Sequence, residues 1–205
     1  MKTSSENEKP KRSRRPFFLI LGLFFLPLAS AFLVYYGSNW RPSGTTNKGD
    51  LITPAIPLAS VTLKLSDGGV TNDQFLRKAW TLVYVGDAAC AQSCRDTLLT
   101  MRQAFQLLGK DMTRVKRVFL YTGSFIDEPY FVIEQSDMLK ASLEGSAGAQ
   151  LLAQFPSDQG IAAEHAGRIY IVDPLGNLMM SYAPITDARK IYQDLKKLLN
   201  LSHIG

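Results

Sequence analysis

The sequence has few of the residues from which protein metal sites are usually built. Its 205 residues contain two cysteines, Cys90 and Cys94, and two histidines, His165 and His203. Two cysteines alone leave a zinc site incomplete, because such a site takes four ligands. The P-loop, G-x-G-x-x-G, H-E-x-x-H and G-x-S-x-G motifs are also missing. The sequence therefore carries no signature of a nucleotide-binding protein, a zinc protease or a serine hydrolase.

The sequence also lacks an extended basic surface. The formal net charge is +5, but residues 1–16 supply +4 of it through six basic and two acidic side chains. The remaining residues are close to neutral. Because the basic excess belongs to a short tail, we exclude nucleic acid as a partner.

One long uncharged apolar run, Phe17–Tyr36, follows this tail. Its 20 residues are about the length that a helix needs to cross the hydrocarbon core of a bilayer. The positive-inside rule keeps residues 1–16 in the cytoplasm and exports the rest of the chain. We predict a single-pass anchor in the bacterial inner membrane at residues 17–36, with the folded domain in the periplasm.

A cleaved signal peptide is the alternative interpretation of this run. Ala29-Ser30-Ala31 resembles a small-residue cleavage site. The apolar run continues through residues 32–36, however, which favours an uncleaved anchor. The domain is exported in both cases. Residues 37–57, rich in glycine and proline, are predicted to be a linker, and residues 58–205 to be the folded domain.

Within residues 58–205, apolar patterning predicts short strands and amphipathic helices. A strand, a long helix and a second strand predict a parallel unit, and a late hairpin adds antiparallel strands. We therefore predict an α/β fold of the thioredoxin-like class, with a mixed central sheet flanked by helices and one transmembrane helix before it. Strands are predicted at Ser60–Leu65, Trp80–Val85, Val115–Tyr121, Arg168–Val172 and Leu178–Tyr182; helices at Asn72–Lys78, Ala91–Leu108, Gln150–Phe155 and after an N-cap at Thr186; Pro129–Glu134 fits either.

The two cysteines form a C-x-x-x-C arrangement at the predicted start of the long helix. A helix N-terminus favours thiolate over thiol, and the thiolate is the form that attacks disulfides and binds soft metals. Residues four apart share one helical face, so the two sulfurs can meet. Such a spacing suits two thiolates that hold one Cu(I) ion. A purely stabilising disulfide is the alternative, although closing so short a loop adds little stability.

A histidine is the natural candidate for a third ligand. His203 is the third residue from the end of the sequence and is expected to be solvated. His165 precedes the predicted strand Arg168–Val172, and in a thioredoxin-like sheet the loop before that strand approaches the cysteine-bearing helix. This position favours His165 as a copper ligand, with a surface role as the alternative.

These residues together resemble the Sco family of copper-handling proteins. The segments GDAACAQSC at residues 86–94, EH at 164–165 and IYIVDPLGN at 169–177 carry the resemblance, which spans about residues 58–200. The chain departs from the family pattern at Arg95, where family members usually carry proline. The resemblance implies a membrane-anchored thioredoxin-like domain whose copper ligands are Cys90, Cys94 and His165. It also implies that the partner is the copper-bearing subunit of a terminal oxidase or one of its assembly factors.

Three functions follow from these observations. The first is a copper chaperone or assembly factor for a terminal oxidase such as cytochrome c oxidase. The second is a thiol–disulfide oxidoreductase, with Cys90 and Cys94 as its redox pair, acting on exported partner cysteines. The third is a non-catalytic assembly scaffold in which the cysteine pair has only a structural role.

Overall fold

A computed structural model describes residues 14–37, 46–124 and 129–202 of the chain. The chain divides into two compact units at Thr45/Thr46. In the first unit, helix α1 covers Arg15–Gly37 and contains Pro27. With a mean hydropathy of 2.6 over its apolar window, α1 is long and apolar enough to cross a membrane. Most of the predicted cytoplasmic tail and His203 lie outside the described residues.

The second unit is built on a six-stranded mixed sheet in the order β1-β6-β5-β2-β3-β4. The pairs β2–β3 and β3–β4 are parallel, whereas β1–β6, β6–β5 and β5–β2 are antiparallel. The predicted α/β, thioredoxin-like class is thereby confirmed. The strands are β1 Asp50–Pro57, β2 Trp80–Asp87, β3 Val115–Thr122, β4 Leu139–Ser142, β5 Ile169–Val172 and β6 Asn177–Tyr182. The helices are α2 Gln92–Gln106, a 3-10 helix Gly109–Arg114, α3 Pro129–Ile133, α4 Gly145–Leu152 and α5 Ala188–Leu201.

Strand β2 lies near the middle of the sheet and is buried on both faces. Leu82 belongs to the hydrophobic cluster that includes residues of α2 and α5, and Val83 to the cluster that includes α4 and residues 58–76. Successive side chains of a strand point to opposite faces. A strand covered on both sides therefore has a nearly continuous apolar sequence, which in residues 80–85 is broken only by the buried Thr81.

The predicted linker at residues 37–57 extends too far, because residues 50–57 form strand β1. β1 is an edge strand that pairs antiparallel with β6. Pro54 and Pro57 argue against a strand in the sequence, because proline lacks the N–H that a central strand needs. An edge strand tolerates proline because one side of it makes no ladder hydrogen bonds.

Three other local predictions need correction. Residues 60–65 are not a regular strand: Lys64 and Leu65 make only isolated bridges, to Val70 and Ala141. Residues 72–78 form consecutive turns rather than a helix. The N-cap of α5 is Asp187, whose carboxylate accepts a hydrogen bond from the Arg189 N–H, and not Thr186.

The segment between β3 and β5 was the least well predicted. Residues 129–133 are helical, which decides between the two alternatives for 129–134. Helix α4 covers residues 145–152 rather than 150–155. Strand β4 has only four residues, too few to produce a recognisable alternation of apolar and polar side chains.

Three buried tyrosines are expected to make the fold sensitive to alkaline pH. Burial raises the pKa of Tyr84 and of Tyr170 to about 12, and burial together with Asp194 raises the pKa of Tyr182. Tyrosines in the unfolded chain ionise near pH 10. The folded state therefore binds more protons above that pH, so its stability is complete below about pH 10 and falls as the pH rises toward 12.

We expect each of these tyrosines to lower the free energy of unfolding by about 1.4 kcal/mol per pH unit over this range. Denaturant titration of the full chain in detergent at several pH values measures the slope. Tyr170→Phe is expected to make the slope shallower by the share of one tyrosine. Equal slopes for Tyr170→Phe and the unsubstituted chain would contradict the prediction.

Candidate functional site

The two cysteines lie where β2 gives way to α2. Cys90 is in the turn before the helix, and Cys94 is in its first turn. A disulfide joins them, with 5.1 Å between their Cα atoms. Only 1% of Cys90 and 6% of Cys94 is exposed. The predicted meeting of the two sulfurs at the start of the long helix is therefore present in the structure.

Backbone and side-chain hydrogen bonds fix the turn that carries Cys90. The Asp87 carboxylate accepts from the Ala89 N–H at 2.7 Å, and the Asp87 carbonyl accepts from the Cys90 N–H at 3.1 Å. The Ala88 N–H donates to the Thr122 carbonyl of β3 at 2.9 Å. Cys90 itself has φ +38°, a left-handed conformation that residues other than glycine seldom adopt. The turn is thus held in an unfavourable geometry by its surroundings.

Arg95 adds a side-chain hydrogen bond to the same turn. Its Nε donates to the Cys90 carbonyl at 3.2 Å, and its guanidinium lies 5.1 Å from the ring centre of Tyr130 on α3. Sequence reasoning missed Tyr130, because 35 residues separate it from Arg95. No motif spacing reports a contact of that range.

His165 lies in a compact loop that leads into β5. Asp158 and Ile161 exchange two backbone hydrogen bonds of 2.9 and 2.8 Å, and the His165 N–H donates to the Ala162 carbonyl at 2.9 Å. β2 and β5 pair antiparallel, and Ile169 at the start of β5 lies opposite Tyr84 near the end of β2. The first residues of β5 and the last residues of β2 are therefore at the same end of the sheet. The loop with His165 therefore leads into the end of the sheet from which the chain continues to the cysteine turn. The His165 side chain is exposed.

Arg168 fixes this loop to the sheet. Its guanidinium is 2.9 Å from the Asp158 carboxylate, also pairs with Asp50 of β1, and donates to the Ser181 hydroxyl of β6 at 3.0 Å. Arg168 is 8% exposed. The loop that carries His165 is thus tied to two other strands by one buried cation.

The structure joins two of the three predicted copper ligands. Within the described ranges, no three His, Cys, Asp or Glu side chains form a group placed to hold a metal ion. Cys90 and Cys94 are together in their disulfide, and His165 is not grouped with them. Once reduced, the cysteine pair offers two neighbouring thiolates, the kind of soft ligand that Cu(I) prefers.

Comparison with known protein families decides the classification. Residues 80–202 match the family described as "Transmembrane-like, thioredoxin-like, C-terminal domain". The chain belongs to this family. The match begins at the first residue of β2 and ends just beyond α5, so it includes the cysteine turn, the His165 loop and five of the six strands. No curated protein matches this family member by sequence.

Solved structures with the same fold include several Sco proteins. Copper-bound ScoI from Bradyrhizobium japonicum is 20% identical, with a TM-score of 0.54 and coverage of 70% of this chain and 99% of that one. Apo Sco1 from Thermus thermophilus is 19% identical, with a TM-score of 0.58 and coverage of 76% and 99%.

A third solved structure is of a Sco protein with a disulfide switch. BsSco, a member of the Sco family of cytochrome c oxidase assembly proteins in which a disulfide switch was identified, is 15% identical, with a TM-score of 0.53 and coverage of 75% and 100%. The predicted resemblance to Sco proteins is thus confirmed at the level of the fold. This member of the transmembrane-like, thioredoxin-like family has the Sco fold, and the apolar helix α1 precedes that fold in the sequence.

Proposed function

We propose that this protein is a membrane-anchored copper chaperone or assembly factor for a terminal oxidase such as cytochrome c oxidase. The observation that supports this proposal most strongly is the paired Cys90 and Cys94 at the start of α2, on a fold shared with copper-bound Sco proteins. In the reduced protein the two sulfurs hold Cu(I) as cargo, and His165 supplies the third ligand from the neighbouring loop.

The location of the pair favours this chemistry. Reduction of the disulfide takes two electrons and two protons from an exported dithiol, which itself becomes a disulfide. The N-terminus of α2 presents unpaired N–H groups and the positive end of the helix dipole, both of which stabilise the thiolates that bind Cu(I).

The anchor sets the cellular location in this proposal. Helix α1 spans the bacterial inner membrane, the basic tail remains in the cytoplasm, and the thioredoxin-like domain is in the periplasm. A disulfide persists in such an oxidising compartment. The partner is the copper-bearing subunit of the oxidase or one of its assembly factors, which receives the ion on the same side of the membrane.

Copper titration tests the proposal directly. The full chain in detergent, reduced and held without oxygen, is titrated with Cu(I) in competition with a chromophoric chelator. We expect one ion per chain, and a loss of affinity of at least about 100-fold in Cys90→Ser, since even changes outside the ligand shell cost 10- to 100-fold. His165→Ala is expected to weaken binding, whereas His203→Ala is the matched control and should not.

Two outcomes would contradict this assignment. Unchanged Cu(I) affinity in Cys90→Ser would refute binding by the cysteine pair. Equal affinities for His165→Ala and His203→Ala would remove His165 from the ligand set while leaving two-sulfur binding in place.

A thiol–disulfide oxidoreductase is the second candidate, and the disulfide itself favours it. In that role one thiolate attacks a partner disulfide to form a mixed disulfide and releases one partner thiol. The second cysteine then attacks the mixed disulfide, which releases the other partner thiol and restores the Cys90–Cys94 bond. Single-cysteine variants should then trap partners as mixed disulfides in membranes. If replacing both cysteines leaves oxidase activity in cells unchanged, the protein is a scaffold instead.

A further inference from the structure

The cysteine turn is connected to a buried arginine of β3 by a continuous set of side-chain hydrogen bonds. The Arg95 Nε donates to the Cys90 carbonyl at 3.2 Å, and the Tyr130 hydroxyl donates to the Arg95 carbonyl at 3.2 Å. Gln135 Nε2 donates to the Tyr130 hydroxyl at 3.0 Å, and Gln135 Oε1 accepts from Arg117 at 2.7 Å. We call these four residues, Arg95, Tyr130, Gln135 and Arg117, the relay.

The far end of the relay is rigid. The Arg117 side chain is fully buried, pairs with Asp137, and lies 5.5 Å from the ring centre of Phe105 on α2. Gln135 is also fully buried. Among the described residues the Arg117 Nε has no hydrogen-bond partner, but its two terminal nitrogens bond to Gln135 and Asp137. A buried side chain held at both terminal nitrogens has few alternative positions. Tyr130 is therefore held in place by the hydrogen bond from Gln135. Tyr130 in turn contacts Arg95 twice: its hydroxyl donates to the Arg95 carbonyl, and its ring lies against the Arg95 guanidinium.

The near end of the relay acts on the least favourable backbone of the site. Cys90 has a left-handed φ of +38°, which an L-residue keeps only when its surroundings enforce it. In the oxidised protein the disulfide helps to enforce it. After reduction that covalent restraint is gone, while the hydrogen bond from Arg95 to the Cys90 carbonyl involves no sulfur atom.

We propose that Arg95 and Tyr130 are positioning residues that keep the reduced cysteines in the geometry of the disulfide. Arg95 restrains the Cys90 peptide, and Tyr130 restrains Arg95. The two thiols then stay close after reduction, which raises their effective concentration toward each other. A higher effective concentration makes the disulfide easier to re-form and lowers the reduction potential of the pair. The inference deepens the proposed function of the pair but requires no copper.

Charge-conserving variants separate positioning from electrostatics. Tyr130→Phe removes one oxygen atom and leaves the ring under the guanidinium. Arg95→Lys keeps the positive charge and loses the planar group that both donates to Cys90 and stacks on Tyr130. The matched control is Arg102→Lys, on the same helix, whose ion pair with Glu134 does not involve the cysteine turn.

The experiment is a redox titration of the full chain in detergent against a thiol–disulfide buffer, without copper. We expect the potential to rise in Tyr130→Phe and in Arg95→Lys, by about 30 mV for each tenfold loss of effective concentration. Arg102→Lys should keep the original potential. Far-UV circular dichroism and a urea midpoint confirm that each variant is folded.

Two results would overturn the inference. One is an unchanged potential in both Tyr130→Phe and Arg95→Lys. The other is an equal shift in Arg102→Lys, which would show a general loosening of the contact between α2 and α3. Neither result depends on Cu(I) affinity, so a failure here is distinguishable from a failure of the copper proposal, and a loss of Cu(I) binding leaves the measured potentials unaffected.

Discussion

Replacing Asp194 with alanine is expected to lower the free energy of unfolding by about 4 kcal/mol. Asp194 lies on α5 and is 4% exposed. One of its carboxylate oxygens accepts three hydrogen bonds: from the Lys48 N–H at 2.7 Å, the Gly49 N–H at 3.0 Å and the Tyr182 hydroxyl at 3.0 Å. Hydrogen bonds to a charged group contribute about 1.5 kcal/mol or more each. Alanine removes the shared acceptor and leaves all three donors without it.

The same carboxylate connects the residues before β1 to α5. Lys48 and Gly49 directly precede β1, so their hydrogen bonds to Asp194 tie the start of this edge strand to α5. Urea titration of the full chain in detergent, followed by far-UV circular dichroism, measures the loss. Tyr182→Phe removes one of the three bonds and should cost about 1.5 kcal/mol. Asp96→Ala, on the exposed face of α2, should change stability by less than about 0.5 kcal/mol. A loss below about 1 kcal/mol in Asp194→Ala would contradict the prediction.

Replacing Arg117 with methionine is expected to cost about 3 kcal/mol. Methionine fills similar space, so the loss comes from unmade polar contacts rather than from a cavity. Gln135, which is fully buried, loses the donor to its Oε1, at about 1–3 kcal/mol. The Asp137 side chain is 51% exposed, so solvent compensates most of its lost ion pair, and this part costs about 1 kcal/mol or less.

Arg102→Met is the matched control for this variant. Arg102 pairs with Glu134, and both side chains are substantially exposed, at 29% and 49%. Exposed ion pairs contribute about 0–1 kcal/mol, so the control should lose less than about 1 kcal/mol. Equal losses in the two variants, measured by the same urea titration, would show that burial of Arg117 does not matter for stability.

Local sequence patterns predicted the central part of the fold well. The apolar run at residues 80–85 and the amphipathic stretch at residues 91–108 correspond to β2 and α2. The turn residues at 173–177 correctly indicated the hairpin of β5 and β6. These elements were predictable because each one is specified by residues that are neighbours in sequence, through hydrophobic periodicity or turn chemistry.

Elements whose stability depends on distant partners were missed. β1 contains two prolines and exists because β6 offers it an edge. β4 is a strand of four residues that pairs with β3 on one side and with residues 64–66 on the other. Neither segment has an alternation of apolar and polar residues that would distinguish it from a loop. The strands with which β1 and β4 pair, β6 and β3, both lie more than 15 residues away in the sequence.

The sequence by itself determined the apolar helix α1, most elements of the thioredoxin-like order and the proximity of Cys90 to Cys94. Each of these features depends on residues that are near one another in the sequence. The tertiary structure decided what surrounds that pair. It brought Tyr130 under Arg95 and the Asp194 carboxylate to the Lys48 N–H. These contacts join segments 35 and 146 residues apart. Such contacts depend on how the sheet and its helices are arranged, so no local pattern encodes them.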